Sequence, residues 1–265
     1  MDRELLGKVA IVTGAGRLRG IGRATAVSLA KLGAKIVVTG TGRDPNTFPE
    51  DEKEVGWKDV ESTADQIRDE GSEALTMTTN ISRETEVNEL FERTLETFGR
   101  VDILVNNAAA PYGEDRVPVV DLDNEIFKKV MDIKVFGSFL CSKHYGHNIS
   151  KNPNGGSIVN ISSDLGLIAP DQGLYSKPGL TESQQSVKPV TYSIVKTGII
   201  GLTRYLSTYW VDKNVRCNAI CPGGVENGQN ENFIKSYSSH TPMKRMMKKD
   251  EEGGRGGVGG GGGGG

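Results

Sequence analysis

Tyr192 and Lys196 stand four residues apart in Tyr192-Ser193-Ile194-Val195-Lys196, a spacing that puts a phenol and an ammonium on one face of a helix. A carbonyl that accepts a hydride develops alkoxide charge and needs a proton from a group poised near neutral pH. Tyrosine has a reference pKa of about 10, and bringing it to about 7 takes roughly 4 kcal/mol of preferential phenolate stabilisation. Positive charge in a partly dry site supplies this. The pair is therefore a candidate acid/base couple, with Tyr192 as general acid/base and Lys196 as its electrostatic partner. The same spacing also arises by chance, so its weight depends on what surrounds it.

Near the amino end, an apolar run leads into Thr13-Gly14-Ala15-Gly16-Arg17-Leu18-Arg19-Gly20-Ile21-Gly22, and then into a helical stretch containing Ala24, Val27, Ala30 and Leu32. Strand, glycine turn and helix together let the backbone approach a pyrophosphate while the helix amino end offers N–H donors. Gly14, Gly16, Arg19, Gly20 and Ile21 are the candidate contacts. A glycine-rich bend without a ligand is the alternative.

Four segments in this order resemble the short-chain dehydrogenase/reductase family. They are the glycine turn, Asn106-Asn107-Ala108-Ala109, the run Ser157-Ile158-Val159-Asn160-Ile161-Ser162-Ser163, and Tyr192 to Lys196 followed by Pro222-Gly223. The resemblance covers roughly Leu5 to Glu252. It implies an NAD(P)-dependent oxidoreductase that interconverts an alcohol and a ketone on a single Rossmann-like, doubly wound parallel sheet. It further implies that Ser163, or failing it Ser162, donates a hydrogen bond to the substrate oxygen, and that Lys196 also holds the cofactor ribose. Asn80, Ile81, Asn107, Ala108, Ala109, Pro222, Gly223 and Val225 would line the cofactor with Tyr192. The family turn places three residues between Thr-Gly and Gly-x-Gly; here there are five, the extra ones falling within Arg17 to Arg19.

NAD-preferring members end the second strand with an acidic residue that binds the ribose hydroxyls. Gly40 stands there, with Arg43, Arg17 and Arg19 near in sequence, so NADP is the preferred expectation over NAD. Solvated loop arginines are the alternative. Lys134, in Val130-Met131-Asp132-Ile133-Lys134, takes the place of the family's proton-relay asparagine, and a charged lysine accepts no hydrogen bond. Tyr175 lies at the family's usual distance from the serines, but Gly179 and not lysine follows it, and Pro178 interrupts any helix there. Choosing Tyr192 implies an insertion of about sixteen residues, expected to wall the substrate site.

Strand-length apolar runs at Val9 to Thr13, Lys35 to Thr39, Ala74 to Asn80, Ile103 to Asn106, Ser157 to Ser162 and Val215 to Cys221 alternate with helical stretches, the pattern of a parallel sheet covered on both faces. The helices are expected over Gly22 to Leu32, Trp57 to Glu70, Glu84 to Phe98, Asn124 to Asn148 and Tyr192 to Val211. Thr41 to Gly56 and Asp164 to Val190 are long connections of the kind that carry function. Family members continue through a helix and a seventh strand, whereas here a glycine-rich tail begins. The sheet is therefore expected to lack or alter its last strand. Residues 1–252 are read as one catalytic domain and 253–265 as a disordered tail.

With 32 basic and 34 acidic residues and a net charge of -2, nothing marks a nucleic-acid or anionic-membrane partner. The amino end lacks signal-peptide character, and no apolar run approaches the roughly 18 residues of a membrane span. The chain reads as cytoplasmic and as a homo-oligomer, dimer or tetramer. Cys141, Cys217 and Cys221 match no metal spacing and read as core thiols, so no metal is expected. Gly224 to Thr241 reads as a flexible substrate-covering loop, and Met243 to Lys249 as a basic helix or a solvated face. The stretch Tyr192 to Asn227 and the insertion resemble oxidoreductases of bacterial nonulosonic-acid and other surface-sugar pathways, which implies a sugar-derived substrate. Two other readings are a cofactor-binding but catalytically weak sensor or scaffold, and a shortened or artificial chain that keeps the fold without the pocket. If Lys134 takes the relay position, Lys134→Asn alters both rate and pH profile; an unchanged profile refutes that placement.

Overall fold

The strands β1 (Val9–Val12), β2 (Lys35–Gly40), β3 (Ala74–Thr78), β4 (Ile103–Asn106), β5 (Gly156–Ile161) and β6 (Val215–Ile220) pair in parallel in the order β3-β2-β1-β4-β5-β6. The computed structural model describes residues 3–109, 113–149, 152, 154–177, 179–181, 184–226 and 228–248. The expected tail and Lys249 lie outside them. Among the described residues the sheet ends at β6.

Each central strand is apolar on both faces, as parallel strands between helix layers must be. Along β1, Ala10 and Val12 point to one side and Ile11 to the other. The first side is packed by α1 (Ile21–Lys31) and α3 (Val60–Asp69) through Ala26, Leu29, Ala30, Ala64 and Ile67. The second takes α4 (Glu84–Phe98) and α6 (Gly137–Ile149), with Leu90, Phe91, Leu140 and Tyr145, and the end of α7 (Val190–Tyr209) at Leu206. Fully burying each leucine, isoleucine or phenylalanine among them contributes about 1.5–3 kcal/mol. Gly99 ends α4 in the left-handed region, at φ 75°, with its N–H on Leu95 O, a conformation that costs a residue with a β-carbon.

Three expectations are corrected. The long helix expected from Asn124 is α5 (Asn124–Met131) and α6 separated by a π-helical turn, Asp132–Phe136; hydrophobic periodicity alone does not reveal one extra residue in a turn. The stretch read as a flexible loop contains α8 (Glu231–Ser239), whose Asn230 side chain accepts from Phe233 N at 2.8 Å. The basic helix expected from Met243 is absent among the described residues. Met246 is buried instead, and Met247 forms a parallel bridge with Val225. The connection after β2 also holds a short helix, α2 (Glu50–Glu54).

The helix α6 lies close against its neighbour: a β-carbon at Gly146 would fall 2.0 Å from the Trp210 ring. Gly146→Ala is expected to lower unfolding stability by about 1–3 kcal/mol, read from urea denaturation. A wild-type midpoint would show that the indole moves aside at no cost.

Candidate active site at the carboxyl edge of the sheet

Between β1 and β4 the strand order reverses, and the chains leaving these strands diverge to open a crevice. Thr13 and Asn107 brace it. The Thr13 hydroxyl accepts from Asn107 N at 3.0 Å and Ala108 N at 3.1 Å, and the Asn107 amide donates to Thr13 O at 2.8 Å and Gly14 O at 2.9 Å. Gly14 has φ 68°, and a β-carbon there would lie 2.6 Å from Ala108 Cα. Gly20 caps α1 without a side-chain hydrogen bond, and no acidic residue stands in the first turn. That helix end suits an anion, so the turn fits a dinucleotide pyrophosphate.

The connection after β2 folds back onto this turn. Glu52, 1% exposed, accepts from Leu18 N at 3.0 Å and Arg17 Nε at 2.8 Å and pairs with Arg43 Nη1 at 2.9 Å. Burial alone would raise the Glu52 carboxyl, but the Leu18 amide, Arg43 and Arg17 hold it below its ordinary value. Arg43 also donates to Gly16 O at 3.1 Å and meets Asp59 Oδ1 at 3.4 Å. Asp59 lies against the turn so closely that a β-carbon on Gly16 would fall 1.5 Å from its Oδ1. It keeps this place with φ 53° and ψ -129°, outside the left-handed helical region and disfavoured for a residue with a β-carbon. Trp57 Nε1 donates to Gly16 O at 2.7 Å. The five-residue turn is thus held by a carboxylate from α2, and Arg43, read from the sequence as a phosphate ligand, lies on two carboxylates. Arg19 pairs with Asp51 at 2.7 Å. The Asn80 side chain accepts from Ser82 N and Oγ at 3.1 and 2.8 Å, and Ile81 is buried beneath Gly137.

Tyr192 and Lys196 lie in the first two turns of α7. That helix is seated on the sheet by a buried polar chain: Asn106 Nδ2 to Asn160 Oδ1 at 2.8 Å, then Asn160 Nδ2 to Thr203 Oγ1 at 2.9 Å. Lys196 Nζ donates to Ile161 O at 2.8 Å and stands 5.7 Å from the Tyr192 ring centroid. Ser162 donates to Lys196 O at 2.7 Å, and Ser163 donates to Asp164 Oδ1 at 2.7 Å. Lys134, 4% exposed in the π-turn, reaches 5.6 Å from the same ring, and Lys188 stands over it at 3.7 Å. Burial, then the charges of Lys134 and Lys188, push the Lys196 ammonium down to about 8. Burial, then Arg116 with Lys134, does the same to Lys188, also to about 8. Burial lowers Lys134, with Asp115 pulling the other way. The buried Asp115 accepts from Thr191 Oγ1 at 2.7 Å.

Tyr175 lies outside α7 but close enough to Tyr192 to feel its charge. It follows a 3-10 turn and packs on Phe233, with ring centroids 5.7 Å apart, while Phe233 stacks on Tyr237. Pro222 O accepts from Asp164 N at 3.1 Å, Gly223 lies near the Tyr237 hydroxyl, and Ala109 is exposed at the crevice mouth. Cys141 and Cys217 are buried and Cys221 partly so. Glu52, Asp59, Asp115 and Lys188 are the residues that sequence reasoning missed; an acidic run and a lone lysine before a proline were their only signals.

A parallel sheet with a glycine turn and helix amino end at its switch point, and a tyrosine–lysine pair on α7, is the arrangement of a nucleotide-dependent oxidoreductase. Residues 14–254 match the family model described as "Enoyl-(Acyl carrier protein) reductase". An "Uncharacterized oxidoreductase" of Thermotoga maritima is 34% identical over 91% of this chain and 85% of its own. A "Short chain dehydrogenase/reductase astE" of Aspergillus oryzae is 35% identical over 84% and 72%. The solved NAD+-bound xylitol dehydrogenase superposes with a TM-score of 0.76 at 25% identity, covering 96% of this chain and 92% of that one. The chain belongs to the short-chain dehydrogenase/reductase family and is an enzyme that uses a nicotinamide cofactor.

A lysine titrating near 8 when folded binds fewer protons than the unfolded chain between about pH 8 and 10.4. Its charge therefore costs stability fully below pH 8, and the cost is relieved as pH rises through that window. Unfolding free energies by urea at pH 7 and pH 10 are expected to show wild type gaining relative to Lys188→Met. A difference that does not change with pH would mean that Lys188 is not desolvated.

Proposed function

We propose that the enzyme interconverts a secondary alcohol and a ketone with Tyr192 as general acid/base, and that the carrying observation is the Tyr192–Lys196 pair in the first turns of α7 beside the crevice. The bound nicotinamide would take up or deliver the hydride. In the oxidising direction the substrate hydroxyl gives its proton to the Tyr192 phenolate; in reduction the proton returns. Lys196 favours the phenolate by its charge. Ser162 donates to the α7 backbone at Lys196 and Ser163 to the Asp164 side chain; Ser163, the serine the family resemblance selects, would turn its proton from Asp164 to the substrate oxygen. Gly14, Gly16, Gly20 and Ile21 would hold the pyrophosphate, and Asn107, Ala108, Pro222, Gly223 and Val225 the nicotinamide half.

For the adenosine end we favour NAD over the NADP expected from the sequence. A 2′-phosphate would bring further negative charge beside Glu52 and Asp59, whose carboxylates already balance Arg43, while Asp59 stands ready to accept from ribose hydroxyls. The NAD+-bound xylitol dehydrogenase fits this reading and a polyol or sugar-derived substrate. The stacked, exposed pairs Phe136–Phe139 and Tyr205–Tyr209 offer apolar surface for a homo-oligomer.

Tyr192→Phe is expected to lower turnover by about a hundredfold or more while NADH binding, read by fluorescence, stays intact. Turnover retained in the variant removes Tyr192 from the mechanism. NADH is expected to bind more tightly than NADPH, with Asp59→Asn narrowing the gap. Tighter NADPH binding that Arg43→Ala selectively weakens would restore the NADP reading.

A further inference from the structure

The mechanism needs one ammonium beside Tyr192, and the structure provides three. Lys188, Lys134 and Lys196 come from three different segments, with Nζ atoms 3.7, 5.6 and 5.7 Å from the ring centroid. Arg116 adds its charge on the Lys188 side, and the carboxylates acting on Lys188 are Asp164 and Asp115. Both have other hydrogen bonds. Asp115 accepts from Thr191, and Asp164 from Ser163 and from Leu165 N at 2.7 Å. Three ammonium groups from three segments against one tyrosine ring make a cationic wall, which favours a ligand that brings negative charge.

Lys188 is also held in place. Its backbone N–H donates to Gln172 Oε1 at 2.8 Å, and its carbonyl accepts from Gln172 Nε2 at 3.1 Å. The next residue is the buried Pro189, which caps α7 directly before Val190, Thr191 and Tyr192. The insertion thus closes on its own amide bracket and delivers one ammonium to the ring of the proton-transfer tyrosine.

We propose that the substrate carries an anionic group, a carboxylate or a phosphate, near its reacting carbon, and that Lys188 binds it. This deepens the alcohol–ketone reading and rests on it for the identity of the reacting carbon. Lys188 is here a specificity residue; Lys196 keeps its role toward Tyr192.

Two measurements on the full chain separate the two ideas. In the first, inorganic phosphate and, separately, glycolate are titrated calorimetrically into NAD-saturated wild type and Lys188→Met. The proposal expects saturable binding of at least one probe, weakened about ten- to a hundredfold in the variant, the range of one charge-assisted hydrogen bond. The probe that binds tells phosphate from carboxylate recognition. No saturable binding in wild type, or binding unaltered in the variant, overturns the proposal. In the second, kcat/KM is compared for neutral polyols, their aldonates and their phosphates. The anionic compounds are expected to lead, and their lead to shrink at least about tenfold in Lys188→Met through KM. Neutral polyols turned over as well as the anions would overturn it. Lys188-dependent anion binding with no turnover of any alcohol would uphold the anion site and defeat the alcohol–ketone reading alone.

Discussion

The hydrogen-bonded brace between Thr13 and Asn107 is the contact on which the site depends. The two residues lie 94 positions apart in the chain, at the ends of the strands between which the strand order reverses. Their four hydrogen bonds, counting the Ala108 amide, satisfy main-chain groups that would otherwise be stranded as the crevice opens. The glycine turn is fixed on one side of this brace and the Asn107–Ala109 segment on the other. The position of α7 follows from the neighbouring Asn106–Asn160–Thr203 chain, so both halves of the chemistry are referred to the same pair of central strands.

Around that frame the charges are segregated. Carboxylates from the connection after β2 gather on the glycine turn, where they hold Arg17, Leu18 and Arg43. Ammonium groups gather at Tyr192. The carboxylates at the turn are matched by Arg17 and Arg43, whereas the groups facing the Tyr192 ring are ammonium groups.

The strands were legible in the sequence to within a residue or two, since buried parallel strands appear as uninterrupted apolar runs. The tyrosine–lysine pair and the glycine turn were legible because each is local. What escaped reading acts over distance or hides in polar sequence. Glu52 and Asp59 become meaningful only once the chain returns to a turn some 35 and 43 residues earlier. Lys188 gains its role from a glutamine sixteen residues away. The helix α8 is polar enough to read as loop, and the π-turn leaves the hydrophobic pattern of its neighbours intact. Arg43 was noticed, but its carboxylate partners Glu52 and Asp59 were not.

The Gln172 bracket ties Gln172 to Lys188, whereas α7 is anchored to the sheet through Asn160 and Thr203. A change in the length of that segment would therefore shift the Lys188 ammonium against the Tyr192 ring without unseating α7 from the sheet.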